Sequence, residues 1–371
     1  MRISLLDPGL AQLRGHHFDI DRRVARALAG RGHQVEVHGH ASATSELTTH
    51  AAQSGLTFHP TFRAYTYGGL PKAETAIEGY GLLADITAQD LAGVPQTDLW
   101  LWPTLTAFQL LAAASTAFPV RQIGGVWFTP RWPLTVGARG WARAARRVAQ
   151  GTNQIIVAAY DEPLRQLYRS FSPDLDIGVM PCPFDGAAND RQPSTLRRIG
   201  FFGHQRGERG LDLMPELVAA LLGRNYEVVV HDSGGALTRK ESLPGLEMLA
   251  FVDDFAAEIA RCDLVIWPSR WESYAGATSG VVSECIATGV PVILPSGCLP
   301  ADLAVRFGCG TFFHEFSCEA ILEAVDEAAA RFPTLVAQAR AAVTAWRAKN
   351  GTERLVDWIV ARASEEPSAD R

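Results

Sequence analysis

The segment LVIWPSRWESYAGATSGVVSECIATGVPVIL, residues 264 to 294, decides the fold. It opens on an apolar run, Leu264 to Trp267, that is too short for a helix and is halted by Pro268; such a run reads as a buried strand. Thr278 or Ser279 then offers a side-chain oxygen to cap a helix beginning near Gly280. Gly289 closes that helix, and Pro291 to Leu294 is a second apolar strand. Two strands joined by a crossover helix form a parallel pair.

The alternation continues outward from this unit. Upstream lie Arg198 to Phe202 and Glu227 to His231, and nearer the start Arg2 to Leu6, Gln34 to His38, Leu99 to Trp102, Ile123 to Phe128 and Ile155 to Ala158. Between the first two of these, Ile20, Val24, Ala27 and Leu28 line one side of a helix that Gly30 and Gly32 stop. The polar stretch Asn189 to Ser194 divides the series in two. The expected class is therefore α/β, with Rossmann-like doubly wound domains at 1–190 and 191–345 and a crossover helix and tail at 346–371. Thr334 to Ala363 keeps a helical period, with Trp346, Leu355, Trp358 and Ile359 as packing residues, and this last helix is expected to return to the N-terminal domain.

Composition fits two cores: 371 residues, 47% hydrophobic and 20% charged, exclude a disordered chain. A net charge of -6 argues against general nucleic-acid binding. The charge is uneven, because Arg121 to Ser170 holds eight arginines against Asp161 and Glu162, a local +6 that leaves -12 on the rest. Six cysteines without CxxC spacing read as free thiols in a reducing compartment. No run approaches the ~18 apolar residues of a membrane helix, and Asp7-Pro8 follows Met1 to Leu6 at once, so a cytoplasmic protein is expected.

Two segments carry chemistry. Ile199 to Leu222 is a strand, a turn Gly203-His204-Gln205-Arg206-Gly207-Glu208-Arg209-Gly210, and a helix. Glycines let a ligand approach the backbone there, and Arg206 and Arg209 supply positive charge for phosphate oxygens; many α/β proteins also carry such turns and bind nothing. In the second segment, the amides near Gly280 at the helix start would face a diphosphate. Glu284, about one turn in, has the two acceptor oxygens that a ribose diol needs, and Glu272 on the preceding loop can hold sugar hydroxyls; the plain alternative for both is a carboxylate that fixes a loop or caps a helix.

These residues resemble the C-terminal domain of retaining GT-B glycosyltransferases of glycosyltransferase family 4. Glu272 and Glu284 match that family's two glutamates, and Ile286 to Ile293 its helix end and next strand. Phe251 to Asp254, Val179 to Pro181 and Gly30 to Val35 resemble further family segments, so the likeness spans nearly the whole chain. It implies two domains facing a cleft, with a nucleotide-sugar donor as substrate, no cofactor and no divalent metal. It places catalytic roles on Glu272, Arg209 and Arg206, and donor contacts on Gly203, His204, Ser273, Tyr274, Thr278, Ser279, Gly280 and Glu284. It also implies retention of configuration, with the departing phosphate oxygen helping to take the acceptor's proton.

The sequence departs from the family in several places, and Arg209 stands where the family has a lysine. His204 stands where the family has an arginine, eleven residues separate Glu272 from Glu284 where seven are usual, and no histidine occurs in Val126 to Pro130. Gly15, His16 and His17, with Trp127 and Arg131, are the acceptor-side candidates, the acceptor being a glycan, a lipid-linked sugar or another hydroxyl compound. The basic aromatic stretch 127–147, with Arg139, Arg143, Arg146 and Arg147 at helical spacing, either lies on an anionic membrane surface at the inner face or is a solvated helix face. His33, His38 and His40 form no metal-ligand set. Two rivals remain: a phosphorylase or epimerase on the same scaffold, and a catalytically inactive GT-B subunit that binds a nucleotide sugar or glycan as a partner protein.

Overall fold

The computed structural model describes residues 1–13, 17–130, 136, 138–173, 175–232, 235–237, 243–250 and 252–365. The chain divides into two compact units, Met1–Pro183 with Thr352–Arg371, and Phe184–Gly351.

The first unit holds seven strands: β1 (Arg2–Leu6), β2 (Gln34–His40), β3 (Thr57–Phe62), β4 (Leu99–Trp102), β5 (Arg121–Val126), β6 (Ile155–Ala159) and β7 (Ile177–Val179). They are parallel and ordered β3-β2-β1-β4-β5-β6-β7. The second unit holds β8 (Arg198–Phe201), β9 (Glu227–His231), β10 (Leu246–Leu249), β11 (Leu264–Ile266), β12 (Val292–Pro295) and β13 (Gly310–Phe313), parallel in the order β10-β9-β8-β11-β12-β13. Each sheet is thus doubly wound about its own first strand. Each also has a point where successive connections diverge to opposite sides, β1/β4 in one and β8/β11 in the other, where such folds hold ligands.

Central strands are apolar because helices cover both faces of a parallel sheet. All four residues of β4, Leu-Trp-Leu-Trp, are buried, as are all of β11 and β12. In the second unit Ile199, Phe201, Leu217, Leu221, Ile266 and Ile321 belong to one core. Each such side chain contributes roughly 1.5–3 kcal/mol by leaving water.

The helix Gly280–Thr288 begins and ends as the sequence implies. Ser279 accepts from the Val282 amide at 3.4 Å, and Gly289, at φ 75°, supplies the left-handed residue that closes it.

Four strands were not expected, β3, β7, β10 and β13. The first three carry exposed or half-buried positions, and β7 has only three residues. The run from Thr334 to Ala363 is two helices, Phe332–Arg347 and Thr352–Ser364, broken at Gly351 with φ 105°. The second of these returns to the first unit: Arg31 pairs with Glu353 and Asp357 at 2.6 and 2.7 Å, and Arg121 donates to the carbonyls of Arg362 and Ala363. Among the described residues no helix is long and apolar enough to cross a membrane.

Candidate functional site

In the second unit the loops leaving β8 and β11 meet at the divergence point. Gly203, the second residue past β8, has φ 100°, and a Cβ there would lie 2.2 Å from Nη1 of Arg209. Only glycine lets the guanidinium settle onto this backbone. Gly210, at φ 74°, does the same for the Pro268 carbonyl, which a Cβ would meet at 2.4 Å. Two further bonds fix the loops: Arg270 N donates to Glu208 O at 2.9 Å, and Gln205 donates to the carbonyl of His231 at 3.0 Å.

Arg209 is the centre of this arrangement. Its Nε donates to the Tyr274 hydroxyl at 2.9 Å, and its guanidinium carbon lies 5.6 Å from the Tyr274 ring and 6.0 Å from the Trp267 ring. Nη1 is buried with no hydrogen-bond partner among the described residues. Buried polar groups are nearly always paired, so an oriented, unpaired guanidinium N–H marks a place for an acceptor oxygen. The hydroxyl of Ser269, fully buried just past β11, is likewise unpaired.

The start of the Gly280–Thr288 helix adjoins this loop, for a Cβ on Gly203 would also come within 3.2 Å of Val281. Ser279 takes the Val282 amide, and the first intrahelical bond runs from Ser283 N to Ser279 O. The amides of Gly280 and Val281 precede it and carry the positive end of the helix dipole.

The other donor-side candidates are less alike. Arg206 is exposed and paired with Glu208 at 2.8 Å, so part of its charge is already answered. His204, Glu272 and Ser273 are exposed and Thr278 is half-buried. Tyr274 is buried beneath Arg209. Glu284 is 1% exposed, and its Oε2 accepts from the Gly186 amide at 3.2 Å. That contact ties the 184–187 segment to the helix and gives the loop-fixing reading of Glu284 a partner.

Gly15, His16, Arg131 and Trp132 of the first unit, and Phe251 of the second, lie outside the described residues. His17 is the first residue of the helix His17–Gly30 and is 5% exposed. Its Nδ1 lies 2.5 Å from Oδ2 of Asp7, at the end of β1, and its Nε2 2.6 Å from the Tyr67 hydroxyl. Asp7 Oδ1 accepts from Gly9 N at 2.8 Å, which fixes the carboxylate. With the ring proton assigned to the Asp7 side, Nε2 is the basic atom.

One turn along the helix, Asp21 is fully buried. Burial, then the charge of Asp7, pushes its carboxyl far above the ordinary range. Among the described residues no donor reaches either of its oxygens, as befits an acid that carries its own proton. Asp7, Tyr67 and Asp21 escaped the sequence reading, since nothing in the spacing of these residues marks them as neighbours of His17.

Trp127 is 6% exposed, stacked on Tyr160 at 3.7 Å and bonded to the Pro103 carbonyl. It supports the wall on which Phe128 faces Tyr67, with ring centroids 5.9 Å apart. Trp141 is also buried, and among the described residues of the basic aromatic stretch the arginines at 139, 143, 146 and 147 are exposed.

No protein-family model matches the chain. Solved structures do. The Anabaena protein HepE, crystallised with UDP and glucose, superposes with a TM-score of 0.68 at 14% identity, over 99% of this chain and 100% of that one. The glycosyltransferase SnogD from Streptomyces nogalater gives 0.59 at 20%, over 98% and 99%. The glycosyltransferase VinC in complex with dTDP gives 0.57 at 17%, over 98% and 99%. The fold is the two-domain α/β GT-B fold. At these identities the likeness establishes fold alone.

Proposed function

We propose that the protein transfers a sugar from a nucleotide-sugar donor to a hydroxyl acceptor. The observation that carries this reading is the unpaired Nη1 of Arg209, held by Tyr274 at the divergence point of the second sheet beside the start of a capped helix. Fixed cationic and amide donors of this kind stabilise a diphosphate as it leaves. Arg209 and the Gly280 helix terminus take the leaving-group charge without a metal, Arg206 assists, and Glu272, Ser273, Thr278 and His204 surround the donor. The ribose is assigned to Glu284. That HepE was crystallised with UDP and VinC with dTDP supports a nucleoside diphosphate as the donor's leaving group.

The acceptor is assigned to the first unit, at His17 with Gly15, His16 and Arg131. It is a glycan, a lipid-linked sugar or another hydroxyl compound, and contact with an anionic bilayer rests on the 139–147 arginines alone. The resemblance of 268–293 to glycosyltransferase family 4 supports retention. A specific observation supports the second reading, inversion: Asp7 orients His17 as a base able to take the acceptor's proton in a single displacement once the acceptor hydroxyl replaces that of Tyr67 at Nε2.

A thermal-shift screen of nucleoside diphosphates and nucleotide sugars tests the donor site. One nucleotide should raise the Tm of the wild type and leave Arg209→Met unmoved. If no nucleotide shifts the wild type, the inactive-subunit reading takes over. With the donor in hand, proton NMR of the first-formed product anomer decides between retention and inversion.

A further inference from the structure

β2 and β3 run side by side at the outer edge of the first sheet, with His38 opposite His59. Side chains alternate along a strand, so Glu36 shares the face of His38. Glu36 Oε2 lies 3.3 Å from His59 Nε2 and 4.0 Å from His38 Nε2. One ligand atom from each of the three lies within 4.8 Å of the others, the one such group of His, Cys, Asp or Glu among the described residues.

Two observations distinguish this group from a casual stack of rings. His38 is 3% exposed, and among the described residues neither its buried Nε2 nor that of His59 has a hydrogen-bond partner. Leaving two such nitrogens unmatched is unfavourable unless something else meets them. The second observation is the ring state of His38. With the Thr61 hydroxyl hydrogen assigned to the His59 carbonyl at 3.3 Å, its lone pairs face His38 Nδ1 at 2.9 Å and the ring proton is assigned to Nδ1. The lone pair of His38 therefore sits on Nε2, in the tautomer that ligates metals, and a hydroxyl behind the ring fixes it.

We infer that Glu36, His38 and His59 bind Zn²⁺ and clip the edge strand β3 to β2. Two imidazole nitrogens, one carboxylate oxygen and a water complete the tetrahedral set this ion takes. Bonds of about 2.0–2.1 Å bring the donors within roughly 3.3 Å of one another. The adjustment falls on Glu36 and His59, whose side chains are each 44% exposed. His33 and His40 stand apart: the first meets the amino terminus at 3.2 Å, the second Ser42 and the Arg63 carbonyl. The site is independent of the transfer reaction proposed above.

The test uses the full chain without an affinity tag, stripped by chelator and titrated with Zn²⁺ by calorimetry and with Co²⁺ by visible absorption. One equivalent should bind, raise the Tm, and with Co²⁺ give the intense bands of a tetrahedral centre. His59→Ala and Glu36→Gln, at half-exposed positions, should keep the metal-free Tm and lose the zinc-induced rise. Thr61→Val should weaken Zn²⁺ by roughly 10–100-fold by releasing the His38 ring. The absence of saturable binding overturns the inference. So does one-equivalent binding that survives His59→Ala and disappears with His33→Ala, which places the ion at the amino terminus.

Discussion

The two sheets share one winding order and carry opposite chemistry at the same place. Past β8 the second unit presents two glycines at positive φ, a guanidinium with an unpaired N–H and the start of a helix. Past β1 the first unit presents Asp7, His17, Tyr67 and the buried acid Asp21. On the proposed reading, one end receives negative charge and the other holds and moves a proton. Topology fixes where such groups gather, and the residues placed there fix which chemistry follows.

On the inverting reading, the widest break between the two comes from removing the base His17. His17→Ala should lower kcat by about 10²–10⁴-fold while the KM for the donor stays put, as a group acting only on the acceptor's proton requires. Steady-state kinetics reads this directly, and a donor KM that rises in parallel merges the two sites' roles. Arg209→Met should cost roughly 10²–10³-fold in kcat/KM and abolish the nucleotide-induced Tm rise. Arg206→Ala, whose charge Glu208 already answers, should cost only a few-fold, and the reverse ranking would move the phosphate out of the loop's interior.

Asp21 sharpens the proton-holding side. Its folded pKa is raised, so the folded state keeps a proton that the unfolded chain releases, and stability falls as pH climbs above the ordinary carboxylate range towards the folded value. Asp21→Asn does not titrate. It should match the wild type near pH 4 and gain on it by up to about 1.4 kcal/mol per pH unit above that, read from urea unfolding at several pH values. A gap that does not grow with pH removes the shifted acid. The smallest effect is Tyr274→Phe, which releases one bond to Arg209 and should weaken nucleotide binding by about 1 kcal/mol, roughly five-fold in Kd.

The sequence shows the buried middle of each sheet and hides its edges. Leu99 to Trp102 and Leu264 to Ile266 announce themselves because both faces are apolar. Thr57–Phe62 does not, since an edge strand carries Pro60 and His59 among half-buried positions. Missing that strand also hid the cluster of Glu36, His38 and His59, for the strand holding His38 offers no hint of a histidine on its neighbour.

The turn past β8 was legible as a strand-to-helix turn through its glycine and arginine spacing, but the difference between Arg209 and Arg206 was not. It depends on which one a tyrosine on a different loop reaches. Asp7 and His17 are ten positions apart in no regular period, so their pairing exists only after β1 and the following helix have packed.

The Thr352–Ser364 helix has a consequence during synthesis. The first unit's sheet is built from residues before Pro183, yet the helix that pairs with Arg31 and Arg121 is made only after the whole of the second unit. At ~5–20 residues per second, ribosomes would leave the first unit without its closing helix for roughly 10–30 s. During that interval the surface awaiting Leu355, Val356 and Ile359 is bare on the nascent chain, and a chaperone that recognises exposed aliphatic side chains would find its target there.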